Sequence, residues 1–393
     1  MKLVEASAAG VGRHVADLTK GLLDRGHEVH LVYSDARSDA VFHEDLERLA
    51  ALPGFRRLRI LMRRHPHARD LVAIQSLRRY LRTEGPFDLL HSHSTKAGLI
   101  GRLGLIGDPI KRLYTPNMFF TAEPGNGVLV RRAGALLESA LSKLCDGVIT
   151  VSREEYLHAI ELGISPAKLC LIPNGAGLDA GSPMRSGGGL RNAWGLHDGE
   201  VCVGFVGRLA PQKSPETMLR SFASLPGRCR GRAKLVAIGD GPLAGPCRRL
   251  AAQLGIDARV VWLGEQDAKT LMHAFDVLAL TSDAEGHPIV VLEALARGLP
   301  IVATNVGGIS DTVRHGVNGF VAPVRGVPEI AAALETLIND VDLRERMGRA
   351  SRVIARDFSV DRMVERTLAF YDQVVSGVWS GSAAQDYKIA ALP

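Results

Sequence analysis

The chain has 393 residues, of which 46% are hydrophobic and 23% are charged, and its formal net charge is +6. These are ordinary values for a globular protein, and the length exceeds one ordinary core, so two domains are expected. No stretch approaches the roughly 18 apolar residues of a membrane span, and no signal-peptide region is visible. The five cysteines form no CxxC pair, which favours a reduced compartment without disulfides or a metal site. We therefore expect a cytoplasmic protein.

The first half of the chain alternates strands with helices, which is typical of a mostly parallel sheet with ligands at its C-terminal edge. Between the first strand and the first helix, Gly10 and Gly12 lie in a small-residue loop. Such a loop lets backbone approach a ligand closely, or simply makes a tight turn. The predicted strands are residues 2–6, 28–33, 87–91, 111–115, 147–152 and 169–172. Residues 35–85 are predicted to be helical and basic.

The second half repeats the alternation after a Gly- and Ser-rich linker at residues 181–189. Its predicted strands are residues 201–206, 234–238, 259–263, 277–281, 301–304 and a strand near 320–321. Helices are predicted from about residues 215, 243, 267, 288 and 310, and the tail from 328 to about 375 is helical. The pattern predicts two doubly wound α/β domains with a cleft between them, at residues 1–180 and 190–358.

Positive charge is concentrated in residues 56–82, where the only acid is Asp70. The arginines there are Arg56, Arg57, Arg59, Arg63, Arg64, Arg69, Arg78, Arg79 and Arg82. The interleaved apolar residues are Leu58, Ile60, Leu61 and Met62. Three interpretations stay open: a solvated face, an anionic membrane surface, and an acidic or nucleic-acid partner. Neither interleaved aromatic residues nor a nucleic-acid motif accompanies the arginines.

Two carboxylates, Glu285 and Glu293, flank a proline that suits the first turn of a helix. Glu285 then lies in the loop before this helix, and Glu293 lies inside it. A helix N-terminus carries partial positive charge, so the segment suits a nucleotide diphosphate and its sugar. The alternative is a solvated helix with two ordinary surface acids.

A second candidate site follows the first strand of the second half. Gly207 allows a ligand close approach, and Arg208 and Lys213 can both reach one anion. Two cations opposite a helix N-terminus can neutralise a departing diphosphate without a metal. Two unrelated surface cations near a turn are the alternative.

Taken in order, these motifs resemble the second domain of the family 4 retaining glycosyltransferases, which have the GT-B fold. The motifs are Gly207-Arg208 with Lys213, Gly239-Asp240-Gly241-Pro242, Glu285-x7-Glu293, Gly307-Gly308 and Gly316-x-Asn318-Gly319. The first domain fits through the Gly10 and Gly12 loop, Val151-Ser152 and Pro173-Asn174-Gly175. The ordered set is specific, whereas no single member is.

The resemblance implies a role for each candidate residue. Arg208 and Lys213 would hold the diphosphate, and Glu285 would contact the donor sugar near its reacting carbon. Glu293 would bind the ribose hydroxyls. The other donor-binding residues would be Gly207, Gly286, Gly10 and Gly12, the last two through amides near the phosphates and acceptor. Members of this kind use no bound metal or other cofactor, and a helix near residues 359–375 is expected to cross back onto the first domain.

One position departs from the family pattern. Family members often carry a histidine where this chain has Asn117, after the strand that ends at Thr115. Asparagine can hydrogen-bond a sugar hydroxyl, but it cannot accept a proton. His93 is a candidate substitute, although a lone histidine in a polar loop is often only structural. Front-face attack, in which the leaving phosphate takes the acceptor's proton, needs no protein base.

The sequence thus predicts a retaining glycosyltransferase that uses a nucleotide-diphosphate sugar, with UDP favoured over GDP. The acceptor would be lipid-linked or a saccharide, as in polysaccharide assembly at the inner face of the plasma membrane, and no nucleic-acid partner is expected. A sugar-nucleotide epimerase is an alternative with the same fold, but it would need additional acids or histidines. A non-catalytic sugar-nucleotide-binding protein is another alternative, motivated by Asn117.

Overall fold

The computed structural model describes residues 1–65, 67–123, 125–178 and 188–379, and the chain divides into two compact units. The first unit comprises Met1–Gly175 and the chain from Val360 onward, and the second comprises Ala176–Ser359. The division therefore follows Gly175, a few residues before the predicted boundary. Most of the predicted linker, residues 181–187, lies outside the described residues, and residues 188–189 begin a short helix.

The first unit contains a seven-stranded parallel sheet. Its strands are β1 (Lys2–Val4), β2 (Val29–Tyr33), β3 (Phe55–Arg59), β4 (Leu89–His93), β5 (Lys111–Thr115), β6 (Gly147–Thr150) and β7 (Leu169–Leu171). The strand order is β3-β2-β1-β4-β5-β6-β7. Its helices are α1 (Ala9–Leu23), α2 (Ala40–Ala50), α3 (Arg69–Glu84), α4 (Thr95–Gly104), α5 (Val128–Ser142) and α6 (Arg153–Glu161). The order reverses between β1 and β4, so ligands are expected where these strands end.

The second unit contains a six-stranded parallel sheet in the order β10-β9-β8-β11-β12-β13. Its strands are β8 (Val201–Val206), β9 (Ala233–Ile238), β10 (Val260–Gly264), β11 (Val277–Leu280), β12 (Ile301–Thr304) and β13 (Gly319–Ala322). Its helices are α7 (Gly188–Ala193), α8 (Pro215–Ala223), α9 (Gly227–Arg230), α10 (Ala244–Gln253), α11 (Ala268–Leu271), α12 (Ile289–Arg297), α13 (Ile309–Thr312), α14 (Val327–Asn339) and α15 (Val341–Ala355). Buried apolar clusters cover both sheet faces, which explains the continuous apolar strands.

The last helix, α16 (Val360–Val375), packs within the first unit. A Cβ added at Gly21 of α1 would lie 2.4 Å from Val364, and one at Gly147 would lie 2.5 Å from Phe370. These glycines let α16 approach both the first helix and the sheet closely. A buried hydrogen bond of 2.6 Å also joins the Tyr371 hydroxyl and His91 Nδ1. Helix α16 is therefore built into the core of the first unit.

The structure corrects the prediction for residues 35–85. They are not continuously helical, because Phe55–Arg59 forms the edge strand β3 beside β2. The arginine-rich segment FRRLR lacks the apolar alternation by which strands are recognised, so pattern alone did not reveal it. An edge strand rich in arginine also resists pairing with another sheet. No helix in the described part of the chain combines the length and the apolar character that crossing a bilayer requires.

Candidate functional site

In the second unit, glycines lie at or directly after the carboxyl ends of β8, β9 and β10, where the loops contact one another. Gly207 has φ +153° and Gly239 has φ +130°, both in conformations that side chains rarely adopt. A Cβ at Gly239 would lie 2.2 Å from the carbonyl oxygen of Gly207. The Leu209 amide donates to the Asp240 carbonyl at 2.9 Å, which ties the two loops together. The predicted glycine motifs thus bring several loop backbones into close contact at one sheet edge.

The loop after β8 carries both predicted phosphate-binding cations. Arg208 is exposed and has no ion pair among the residues the structure describes. Lys213 ends a 3-10 turn just before α8, and its methylene groups lie over Gly207, where an added Cβ would be 3.4 Å from Cδ. A side chain at position 207 would crowd this lysine. Gly207 therefore helps to fix where Lys213 lies.

Lys213 and Glu285 form an ion pair, although they come from different loops. The Lys213 Nζ atom is 2.5 Å from Glu285 Oε1, and the side chains are 20% and 7% exposed. The Ser282 hydroxyl donates to the same carboxylate oxygen at 2.6 Å. Removing either charge would leave the other partly desolvated and without its partner. The sequence predicted both residues for one site, and the structure brings their side chains together.

The loop between β11 and α12 is held by polar residues that the sequence analysis missed. The Gln212 side chain donates to the Ala284 carbonyl at 3.0 Å, and the Asp283 amide donates to the Gln212 carbonyl at 2.8 Å. Thr304 donates to the Ser282 carbonyl at 2.6 Å. The polar run Thr281-Ser282-Asp283 directly after a buried strand was the available signal, because such runs often leave the sheet at a site.

The helix α12 begins one residue later than predicted, with Pro288 at its N-cap position rather than in its first turn. Glu293 is the fifth residue of the helix and is half-buried. Gly286 is buried, and its carbonyl accepts a hydrogen bond from the Gly308 amide at 2.7 Å. His287 packs against Gly308, where an added Cβ would lie 2.0 Å from the ring, and burial lowers the pKa of His287 to about 3. Gly308 thus makes room for a neutral histidine behind the loop.

In the first unit the small-residue loop is shorter than predicted, because α1 begins at Ala9. Gly10 and Gly12 therefore lie inside the helix, in its first turn. Gly10 is exposed with open space at its Cβ position, whereas a Cβ at Gly12 would lie 2.1 Å from the Ser7 carbonyl oxygen. Gly12 is needed for close packing of the helix on the loop, and Gly10 leaves backbone accessible.

Three histidines come together beneath the carboxyl edge of the first sheet. The ring centroids of His91 and His93 are 4.0 Å apart, and those of His93 and His14 are 5.2 Å apart. His91 is hydrogen-bonded to Tyr371 and to Thr115, the latter at 2.7 Å. Burial holds the pKa values of His91 and His93 well below the usual range. Neither ring nitrogen of His93 has a hydrogen-bond partner within the described part of the chain.

Asn117 and Met118 follow β5 in a strained turn. Asn117 has φ +60° and Met118 has φ +148°, a region that only glycine adopts readily. The Asn117 Nδ2 atom lies 3.5 Å from the Thr115 carbonyl oxygen, and its buried Oδ1 has no partner among the described residues. The turn therefore presents an amide with unused hydrogen-bonding capacity beside the end of β5.

The basic stretch at residues 56–82 is partly neutralised. Four of its arginines form ion pairs, namely Arg56 with Glu84, Arg57 with Glu47, Arg59 with Asp35, and Arg64 with Glu123. The predicted apolar surface is largely wrong, because Ile60 and Met62 are buried in the core and Leu58 is half-buried. They point inward because β3 and the segment after it pack against the sheet and α3. A cavity of about 470 Å³ lies here, and Arg69 and Arg79 are among its lining residues.

Within residues 1–65, 67–123, 125–178 and 188–379, no group of three or more His, Cys, Asp or Glu residues is arranged to hold a metal ion. All five cysteines are buried and free.

Two family models match the chain in succession. The model of glycosyltransferase family 4 covers residues 8–180, and that of the glycosyl transferases group 1 covers residues 190–353. The chain is 31% identical over 304 residues to a D-inositol 3-phosphate glycosyltransferase of Nocardia farcinica, which is 73% of this chain and 66% of that protein. The match thus spans slightly less than two thirds of that relative's own length.

Solved structures share the fold across nearly the whole chain. Sucrose-phosphate synthase from Thermosynechococcus elongatus has a TM-score of 0.80 at 21% identity, covering 96% of this chain and 99% of that one. Anabaena HepE in complex with UDP-glucose has a TM-score of 0.77 at 21% identity, covering 95% of this chain and all of the other. Both sheets, their strand order and these matches identify the GT-B fold. The chain belongs to the family 4 glycosyltransferases.

Proposed function

We propose that the protein is a retaining glycosyltransferase that moves a sugar from a nucleotide-diphosphate sugar to a lipid-linked or saccharide acceptor, without a bound metal. One observation carries the proposal: the pair of Lys213 and Glu285 joins a cation suited to a phosphate with an acid suited to sugar hydroxyls, 2.5 Å apart. A sugar–phosphate linkage presents its anion and its hydroxyls at a similarly short separation. The pair therefore suits the bond that is broken in transfer.

The positive charge would act mainly on the leaving group. As the bond between sugar and phosphate breaks, its electron pair and negative charge move to the diphosphate. Lys213 and the exposed Arg208 would stabilise that charge more strongly in the transition state than in the ground state. The N-terminus of α12 would add partial positive charge. Glu285, held by Ser282, would orient the sugar and balance positive charge near its reacting carbon.

Retention follows if the acceptor attacks the face that the diphosphate leaves. The acceptor oxygen then bonds to the reacting carbon, and its proton passes to a phosphate oxygen of the leaving group. No protein base is required, which suits Asn117 at the position where family members often have histidine. The free Oδ1 of Asn117 would accept a hydrogen bond from the acceptor, and His93 would remain an auxiliary residue with a neutral ring.

UDP is the favoured nucleotide of the donor, since the solved structure of HepE is a complex with UDP-glucose. Glu293 would bond the ribose hydroxyls, while Gly207, Gly286, Gly10 and Gly12 would let donor or acceptor approach backbone. A lipid-linked acceptor would place the protein at the inner face of the plasma membrane. The basic stretch supports that placement through the exposed Arg63, Arg69, Arg79 and Arg82, for which the described residues provide no acidic partner.

The proposal is tested by replacing each phosphate-binding cation. Thermal-shift measurements with a panel of UDP- and GDP-sugars first identify the donor, because a bound ligand raises the melting temperature. Hydrolysis and transfer of that radiolabelled donor are then measured for Arg208→Ala and Lys213→Ala. Arg220→Ala is the matched control, since Arg220 is exposed at the opposite end of α8. Full activity in both site variants would refute the phosphate site, and epimerised donor without acceptor would indicate the isomerase.

A further inference from the structure

The outer face of α5 is unusually apolar for a surface helix. Its exposed side chains recur at the spacing of one helical face, i, i+3, i+4, i+7, i+8 and i+11. They are Leu129, Arg132, Ala133, Leu136, Leu137 and Ala140. Leu129 is 80% exposed, Leu136 is 74% exposed and Leu137 is 52% exposed. Val128 and Val130 in the first turn are also exposed, so the apolar surface extends over the start of the helix.

In the second half of α5, the opposite face packs against the first unit. Glu138 is buried and forms a two-point ion pair with Arg102, with distances of 2.8 and 3.3 Å. Gly134 packs against Thr121, where an added Cβ would lie 2.9 Å from Cγ2. The helix cannot rotate to bury its leucines without breaking this ion pair. Its apolar face is therefore a fixed feature of the surface.

Charge on α5 favours one class of partner. Arg131 and Arg132 are exposed, and neither has an ion pair among the residues that the structure describes. The only acid on the helix, Glu138, faces the interior. The neighbouring helix α6 carries exposed acids at Glu154 and Glu161, so the cationic apolar surface ends there. Cations without acids beside exposed leucines complement an anionic lipid surface.

The position of α5 agrees with this partner. Helices that follow strands of a parallel sheet begin at its carboxyl edge, where the acceptor site is proposed. The first turns of α5 and α3 lie at that edge, and both expose apolar residues, including Leu71 at 66% and Val72 at 58%. Arg64 and Glu123 connect the segment before α3 to the segment before α5 through a contact of 2.7 Å.

We propose that α5 lies in the headgroup region of an anionic bilayer, with Leu129, Leu136 and Leu137 inserted and Arg132 at the edge of this face contacting lipid phosphates. The predicted membrane stretch at residues 56–82 then contributes charge, while α5 contributes the apolar contact that Ile60 and Met62 cannot make. This proposal depends on the proposed function only for its purpose, which is to bring a lipid-linked acceptor to the enzyme. Binding to vesicles tests it without any sugar substrate.

Vesicle sedimentation provides the main test. The 393-residue protein is mixed with vesicles of phosphatidylglycerol and phosphatidylcholine, or of phosphatidylcholine alone. The triple variant L129Q/L136Q/L137Q is expected to bind anionic vesicles at least tenfold more weakly than the wild type. The triple variant V317Q/V341Q/V353Q changes three exposed valines of the second unit and should bind as the wild type does. Arg132→Gln should lose about fivefold in binding to anionic vesicles, which is the contribution of one basic residue near the surface.

Insertion depth gives an independent readout. All five native cysteines are buried, so a single cysteine introduced as Leu136→Cys can be labelled selectively with an environment-sensitive fluorophore. Its emission should shift to the blue with anionic vesicles, whereas a label at Val341→Cys should not respond.

Three results would overturn the proposal: wild-type protein that binds neither kind of vesicle, an L129Q/L136Q/L137Q variant that binds like the wild type, or equal losses in both triple variants.

Sedimentation velocity without vesicles tests whether a second copy of the chain, rather than lipid, covers this face. A dimer that the L129Q/L136Q/L137Q change converts to monomer would assign this face to a second copy instead. Calorimetry with UDP separates the two proposals, because the triple variant should bind nucleotide normally. Absence of nucleotide binding in the wild type would refute the proposed function and leave the vesicle result standing.

Discussion

The two sheets differ in the ionisable groups at the carboxyl ends of their strands. We call this end of the second sheet the charged edge, because it carries an ion pair, and that of the first sheet the neutral edge, because burial there disfavours the charged forms. In the second unit, Lys213 and Glu285 form a partly buried ion pair. In the first unit, burial holds the pKa values of His91 and His93 well below the usual range and raises the pKa of Glu155 to about 8. A site that must bind a diphosphate needs fixed charge, whereas a site for neutral hydroxyls does not. The contrast supports donor binding by the second unit and acceptor binding by the first.

The largest expected effect concerns the charged edge. Lys213→Ala or Arg208→Ala should lower the rate of sugar transfer by at least about a hundredfold, because each removes a positive group from the departing diphosphate. Initial rates with the radiolabelled donor measure this loss. Arg220→Ala should transfer at the wild-type rate. Equal losses in the control would show that net charge, rather than the proposed site, controls the reaction.

The neutral edge predicts a pH effect through Glu155. Its carboxylate oxygen Oε2 accepts the Val151 amide at 2.7 Å, and burial is the main reason that its pKa rises from 4.5 to about 8. The unfolded chain releases this proton near pH 4.5, whereas the folded protein keeps it until about pH 8. The folded state thus binds more protons between these values, so stability falls as pH rises through this window.

Glu155→Gln should remove that loss. Because one pKa unit corresponds to 1.36 kcal/mol, the shift sets an upper bound of about 5 kcal/mol on this loss of stability. We expect the free energy of unfolding of Glu155→Gln, relative to the wild type, to be about 3 kcal/mol higher at pH 8 than at pH 4.5. Urea unfolding of both proteins at several pH values measures it. Glu154→Gln is the control, because Glu154 is exposed beside it. Parallel pH profiles for wild type and Glu155→Gln would show that Glu155 is ionised in the folded protein.

The charged edge also makes a stability prediction that separates its two cations. Lys213→Ala should destabilise the second unit by about 2 kcal/mol, because Glu285 would keep its burial and lose its counter-ion. Arg208→Ala should change stability by less than about 0.5 kcal/mol, since Arg208 is exposed. Denaturant unfolding of both variants tests the difference. Equal stabilities would indicate that the ion pair contributes nothing to folding.

Sequence reasoning succeeded where local pattern determines structure. The strand at Val201–Val206 was predicted with its observed bounds, because a buried parallel strand is a continuous apolar run with clear ends. The glycines around Gly207 marked a sheet edge for a second local reason, since positive φ favours glycine. Partners distant in sequence were not predictable from such patterns. Nothing local indicates that Gln212 would hold the loop at Ala284, or that Tyr371 would reach His91 across the chain.

The sequence did not predict the edge strand β3, for a different reason. Its arginines are solvated on an exposed edge, so the apolar alternation that identifies strands was absent. The two glycines of the first loop failed in a similar way, because glycine favours turns and yet Gly12 sits in a helix for close packing. In both cases tertiary contacts overrode local preference.

The smallest predicted effect tests the strained turn on the neutral edge. Met118 holds φ +148°, which costs a residue with a side chain about 1–3 kcal/mol, whereas glycine adopts this conformation freely. Replacing Met118 also removes its side-chain contacts, so the informative comparison is between Met118→Gly and Met118→Ala, which both lose them. Gly should be the more stable of the two by about 1 kcal/mol, the reverse of the usual order in regular structure. That difference corresponds to about 2–4 °C in melting temperature, measured by calorimetry. If Ala were equal or better, the turn would not be strained in solution. If Gly also lowered sugar transfer, the strain would serve to hold Asn117 toward the acceptor, which is what a neutral edge built for hydroxyl recognition requires.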